Sequence, residues 1–276
     1  MKKILTLILA AGMSFSVFAF DIFNYVPPKG NAKSSEKTIY DIYSKFGTYV
    51  RSVNSKITRL YDENGREYNY QETSAKGKLV NDIQTTYDED GNISAQKCTN
   101  SDSEIVWQHE FSYKDGKKTD LSEYDKNHVL FSKTIYTYEN DNLKDETSYN
   151  KDGDLVSKTI YKYAEDGKIA VESDYFSNGS LAERRTYTYT ADGKIDFITV
   201  FAGFTNSQTK QVFRYNAAGL LNEITFYGEN NEIASRVIIK YDDKENVIRV
   251  SEYKISFKFD STQTELVQLE EISYVY

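Results

Sequence analysis

A tyrosine returns every 25 or 26 residues along this chain, and each time it opens the same kind of turn. Tyr61, Tyr87, Tyr113, Tyr138, Tyr163, Tyr189, Tyr215 and Tyr241 follow one another at steps of 26, 26, 25, 25, 26, 26 and 26. Behind most of them runs a string such as Tyr87-Asp88-Glu89-Asp90-Gly91-Asn92-Ile93. A fixed period in this range marks a repeat architecture, in which each unit buries its apolar face only by stacking on its neighbours.

Each unit contains two turns. A second series, Tyr124, Tyr149, Tyr175, Phe201, Tyr227 and Tyr253, interleaves with the first and opens turns such as Asn150-Lys151-Asp152-Gly153. In such strings Asp or Asn nucleates a type I turn, and the following residue takes the left-handed conformation. Gly65, Gly91, Gly116, Gly153, Gly167, Gly179, Gly193 and Gly219 are the expected turn glycines. Between turns the chain alternates with period two. Leu155, Ser157, Thr159, Tyr161 and Tyr163 share one face, while Val156, Lys158, Ile160 and Lys162 share the other. Alternation rich in Val, Ile, Thr and Tyr reads as half-buried strand. The tyrosine that ends one strand should then lie beside the residue that opens the next: Tyr149 by Leu155, Tyr163 by Ile169, Tyr175 by Leu181, Tyr189 by Ile195. The fold expected is all-β, an antiparallel up-and-down meander of about 16 strands in an elongated or curled single sheet.

Both prolines, Pro27 and Pro28, precede the repeats. Proline cannot donate to a sheet ladder, so the proline-free remainder fits one continuous sheet. The basic start Met1-Lys2-Lys3, the apolar run from Ile4 to Phe18 and the small residues Val17 and Ala19 read as a secretory leader over 1–19, cleaved before Phe20. An N-terminal segment spans 20–56, the hairpin repeats 57–253 and closing strands 254–276. Within 34–46, Ile39, Ile42, Tyr43 and Phe46 have helical spacing, with serine before and Gly47 after, so a short helix is expected there. A degenerate strand is the alternative.

From about Ile57 to Tyr253 the chain resembles the bacterial YD-repeat proteins, the family that includes Rhs-type wall-associated proteins. Arg214-Tyr215-Asn216-Ala217-Ala218-Gly219 carries that likeness, and Tyr175-Phe176-Ser177-Asn178-Gly179 resembles the hairpins of MORN-type repeats. The resemblance implies an exported or surface β-repeat scaffold and carries over no catalytic residue.

Without Lys2 and Lys3 the mature chain would keep 32 basic against 42 acidic residues, a net of −10. That balance argues against nucleic acid and anionic lipid as partners, because both need a basic patch. Cys98 is the single cysteine, so no intramolecular disulfide can form, and neither histidine stands in a motif with it. The Asp-x-Asp-Gly turns lack the carboxylate spacing of a calcium loop: with Gly91 sixth, Thr86 is first and Lys97 twelfth. No cofactor, metal or catalytic residue is expected. A lipid-facing barrel wall also fails, since one face carries Lys158 and Lys162 and the other Glu183 and Arg185. What remains is a non-catalytic scaffold at the cell envelope, periplasmic, surface-bound or secreted, presenting a surface to protein. The alternative is a module for cell-wall glycan that stacks sugars on tyrosines. The candidate surface aromatics are Tyr136, Tyr138, Tyr161, Tyr163, Tyr187, Tyr189, Tyr215 and Tyr241.

Overall fold

The structure is a computed structural model that describes residues 27–45, 48–258 and 261–276. The expected leader and Gly47 lie outside the described residues. The chain forms β1 (Ser34–Lys45), β2 (Thr48–Tyr61), β3 (Glu67–Ser74), β4 (Leu79–Tyr87), β5 (Ile93–Thr99) and β6 (Ile105–Lys114). There follow β7 (Lys117–Asp125), β8 (Leu130–Glu139), β9 (Asn142–Asn150), β10 (Leu155–Tyr163), β11 (Ile169–Phe176) and β12 (Leu181–Tyr189). The last six are β13 (Ile195–Ala202), β14 (Ser207–Tyr215), β15 (Leu221–Tyr227), β16 (Ile233–Tyr241), β17 (Val247–Lys258) and β18 (Ser261–Val275).

Successive strands pair antiparallel throughout, and the four expected tyrosine neighbours are found in register at Leu155, Ile169, Leu181 and Ile195. Two expectations are corrected. The sheet is not an open meander of about 16 strands, because β18 pairs with β1 and closes an 18-stranded barrel. The helix expected over 34–46 is absent from the described part of that stretch, where β1 runs as a strand between β2 and β18. The demand for a partner on both sides overrides the local helical spacing, and a bulge between Ile39 and Tyr40 absorbs the mismatch.

Closure follows from a constant stagger. Arg184 stands opposite Phe201, and Phe201 opposite Gln208, so the repeat-equivalent Lys210 lies two residues further along. The same two-residue shift separates Lys158 from Arg184 and Lys210 from Arg236. A stagger of one sign tilts every strand and curls the sheet until its edges meet.

The turns explain the period. In seven of them an Asp or Asn at the start of the loop caps it, as where Asn150 Oδ1 accepts the N–H of Asp152 and of Asp154, each at 2.9 Å. The residue three further on has positive φ, 80° at Gly167 and 84° at Gly153. Two turns are shorter: Asp115-Gly116 and Asn140-Asp141 are consecutive positive-φ pairs, as in two-residue I′ hairpins. Each saves one residue, so the tyrosine steps spanning them are 25 rather than 26. Ser103, His128, Asn231 and Glu245 hold the same left-handed place without glycine.

Alternation gives the sheet two faces. One carries Ile198, Phe213, Ile224, Phe226, Val237, Ile239 and Val250 as a continuous buried cluster over β13–β17. Side chains converge and shield one another on a concave surface, so this face is the inner wall. Among the described residues only twelve apolar side chains are buried, too few for a packed two-layer sandwich of this length. The molecule is a single curved layer.

At the closing seam Lys37 of β1 meets Glu270 of β18 at 3.3 Å, their side chains 7% and 5% exposed. Lys37→Met should cost about 3 kcal/mol or more, since it strands a buried carboxylate, and adding Glu270→Leu should recover part of that loss. Denaturant midpoints of the two variants check this ordering. At a turn, Gly167→Val should cost about 1 kcal/mol from left-handed strain alone, as no atom lies within 4 Å of an added Cβ, whereas Gly167→Asn should cost less.

Candidate functional site

The tyrosines at the first rim are ties between hairpins. The hydroxyl of Tyr163 donates to the Leu143 carbonyl at 2.8 Å, Tyr189 to Ile169 at 2.8 Å, Tyr215 to Ile195 at 2.9 Å and Tyr241 to Leu221 at 2.6 Å. Tyr87 and Tyr138 repeat the contact at Glu67 and Lys118, 2.7 and 3.0 Å. Each acceptor opens the strand on the preceding side, so each ring staples one hairpin to the one before. The residue after the turn glycine covers the ring: Arg66 lies 4.6 Å from the Tyr87 centroid and Lys194 5.2 Å from that of Tyr215. Burial pushes the Tyr241 phenol up to about 12.

One step deeper on the inner wall stand Tyr136, Tyr161 and Tyr187. Tyr136 is buried, with Lys118 Nζ 3.9 Å from its ring centroid. Tyr161 donates to Glu146 at 2.9 Å and Tyr187 to Glu172 at 2.6 Å. Burial first, then the adjacent carboxylates, hold both phenols far above their ordinary range. Arg185, 12% exposed, gathers Glu172 at 2.8 Å, Asp174 at 3.1 Å and Glu183 around one guanidinium. None of the eight candidate aromatics is an exposed side chain. They lie on the inner wall, and seven of them have the hydroxyl committed to a carbonyl or carboxylate. Those bonds make the seven rings part of the wall's own hydrogen-bond network. The turn glycines Gly65, Gly91, Gly116, Gly153, Gly167, Gly179, Gly193 and Gly219 all have positive φ.

Cys98 is fully buried and burial pushes its thiol up, which keeps it protonated. His109 stacks on Trp107 at 4.0 Å and lies 3.4 Å from Glu123, but burial outweighs that carboxylate and lowers its basicity. It stands across from Gln96, not Cys98.

The outer wall holds what whole-chain charge concealed. On the outward face of β10–β17, Lys158, Lys162, Arg184, Lys210, Arg214, Arg236, Lys240 and Arg249 stand against one acid, Glu223. Five cations fall at one repeat position, Lys133, Lys158, Arg184, Lys210 and Arg236, at steps of 25, 26, 26 and 26. Asp120 neutralises Lys133 at 3.1 Å, Asp145 Lys158 at 3.3 Å and Glu223 Arg236 at 3.4 Å. At the equivalent places beside Arg184 and Lys210 the acid is replaced by Val171 and Phe197. Counting charge by strand parity would have revealed this row; net charge could not.

No family model matches the chain, and no curated protein matches it. Among solved structures it is similar to a porin-like protein from Bacteroides uniformis, with 11% identity, TM-score 0.50, and coverage of 90% of this chain and 99% of that one. A porin-like protein from Bacteroides vulgatus matches with 11% identity and TM-score 0.36 over 86% and 97% of the two chains. The TcdB2-TccC3 complex matches with 13% identity and TM-score 0.32, this chain spanning 15% of that one. The first likeness is one of fold: a closed all-β barrel. The YD-repeat resemblance rests on the turn motif, and its all-β repeat character is what the structure bears out.

The rim ties make a ranking. Tyr189→Phe should cost about 1 kcal/mol, because it removes a hydroxyl from a half-buried carbonyl. Tyr175→Phe, on the outer wall and without a hydrogen-bonded hydroxyl among the described residues, should stay within about 0.5 kcal/mol of the parent. Thermal melts of the two variants test it.

Proposed function

We propose that this protein is an exported, non-catalytic β-barrel of the bacterial cell envelope that works in water as a protein-binding scaffold. The observation that carries the reading is an arc of exposed apolar side chains on the outer wall near the second rim. Val80, Val106, Phe131 and Val156 recur at steps of 26, 25 and 25 and are 43%, 43%, 45% and 50% exposed. Contiguous exposed apolar surface marks interaction sites, and we read this row as such a surface. The arc lies on β4–β10, away from the most strongly basic part of the wall. Charge on both faces supports a barrel that does not sit in lipid, because a spanning wall needs an uncharged band about 25 Å tall. The leader-like start supports export. On the inner wall Arg185 holds Glu172, Asp174 and Glu183, Tyr161 holds Glu146 and Lys37 holds Glu270, an arrangement that stabilises a wall.

The test is photo-crosslinking from position 106 or 131 in intact cells, with fractionation alongside. A discrete heavier adduct should form, should vanish in Val106→Lys/Phe131→Lys, and that variant should keep the parental Tm. Extraction should need no detergent. Monomer alone at both positions, or a protein released only by detergent, contradicts the proposal.

A further inference from the structure

The second aromatic series does not share the fate of the first. Each of its members from β9 onward stands directly across from one cation of the periodic row: Lys133 and Tyr149, Lys158 and Tyr175, Arg184 and Phe201, Lys210 and Tyr227, Arg236 and Tyr253. Paired residues share a face, so cation and ring are side by side on the outer wall. The rings are half-buried, and the hydroxyls of Tyr149, Tyr175, Tyr227 and Tyr253 have no protein hydrogen bond among the described residues. Their edges and hydroxyls are available where those of the inner tyrosines are spent.

We infer that this outer ladder of paired cations and aromatic rings on β8–β17 binds a linear acidic polysaccharide. The pairing supplies the two things such a polymer offers: an apolar C–H face that packs on a ring, and a carboxylate or sulfate that meets a cation. Two strands and two residues separate successive pairs, which places them about 12 Å apart around the wall. The row therefore reads one acidic group at about every second sugar. A second row four residues away, Lys162, Arg214 and Lys240, widens the basic track.

Charge and shape select the occupant. The centre of the ladder is where cations are least neutralised. Arg184 has no acid within salt-bridge distance among the described residues, and Lys210 has only the Phe197 ring, 3.9 Å from its Nζ. The ladder spans five of the nine hairpins of a closed barrel, so it wraps around about half of a convex wall. A flat bilayer touches such a wall along a line and would reach one or two pairs. A duplex, with a charge every ~1.7 Å of axis, fits neither the wide spacing nor the convexity. A flexible chain can follow the curve and engage all five.

The probes are alginate, a linear polyuronate, and neutral dextran of similar length, used with the whole purified protein in affinity electrophoresis. Retardation in alginate and none in dextran is expected, with the effect weakening several-fold between about 50 and 200 mM salt as the charges are screened. Lys162→Glu/Arg184→Glu should weaken alginate binding tenfold or more with an unchanged Tm. Tyr175→Ala/Phe201→Ala should weaken it while leaving the salt dependence intact. Lys56→Glu, on β2, should bind as the parent does. Equal retardation by dextran, no retardation by alginate at 50 mM salt, or unaltered binding by Lys162→Glu/Arg184→Glu overturns the inference. Tighter capture by single-stranded DNA or by anionic phospholipid vesicles than by alginate overturns it as well. These variants leave the apolar arc untouched, so failure here is separable from failure of the scaffold reading.

Discussion

A strand without a neighbour presents a row of unpaired N–H and C=O groups, and here the pairing of β1 with β18 leaves no such row at the sheet's edge. Everything else in the barrel is arranged around that closure. The two-residue stagger of each hairpin sets the curl, the short I′ turns at Asp115-Gly116 and Asn140-Asp141 trim the loops without disturbing it, and the tyrosine hydroxyls tie each hairpin to the previous one. The seam itself is reinforced by long strands, with β2 and β18 running 14 and 15 residues, and by the buried Lys37–Glu270 pair. Closure also alters the energetics of repetition. In an open array the loss of one 26-residue unit costs one unit's share of stability. In a ring, removing two of eighteen strands obliges all the others to change tilt.

The two walls divide the chemistry. Inside, carboxylates and phenols satisfy one another around Arg185 and beside a buried apolar arc on β13–β17. Outside, cations repeat with the period of the fold, and their acidic partners drop out at Val171 and Phe197. A chain with a formal net charge of −8 thus carries a basic surface over eight of its strands. The acidic total is summed over loops, inner wall and the outer face of the other strands, and it says nothing about any one surface.

Much of the fold was legible because local chemistry and global topology agree in the repeats. The glycine at many turns, the strand alternation and the tyrosine-to-aliphatic pairs such as Tyr163 and Ile169 follow from residue types alone. The sequence reading failed where the constraint is not local. Closure depends on register summed around nine hairpins, which no single repeat displays. The β1 strand looks helical at Ile39, Ile42 and Tyr43, and only its two neighbours make it extended. The tyrosines were identified as the repeating feature, but their destination was not. Which series faces inward depends on the direction of curl, so the rings named as surface aromatics stand inside as ties, and the second series from Tyr149 onward stands outside.

The central claim is closure, and a designed cross-link tests it most directly. Glu36 on β1 and Ser273 on β18 are opposed in register and exposed on the outer wall. Antiparallel partners lie about 4.5–5.5 Å apart at Cα, within reach of a disulfide. In a Cys98→Ser background, Glu36→Cys/Ser273→Cys should oxidise to a single intramolecular disulfide with the strand content unchanged by circular dichroism. Two thiols that stay free under the same oxidant, or that link only between molecules, would mean the sheet is open and the account is wrong.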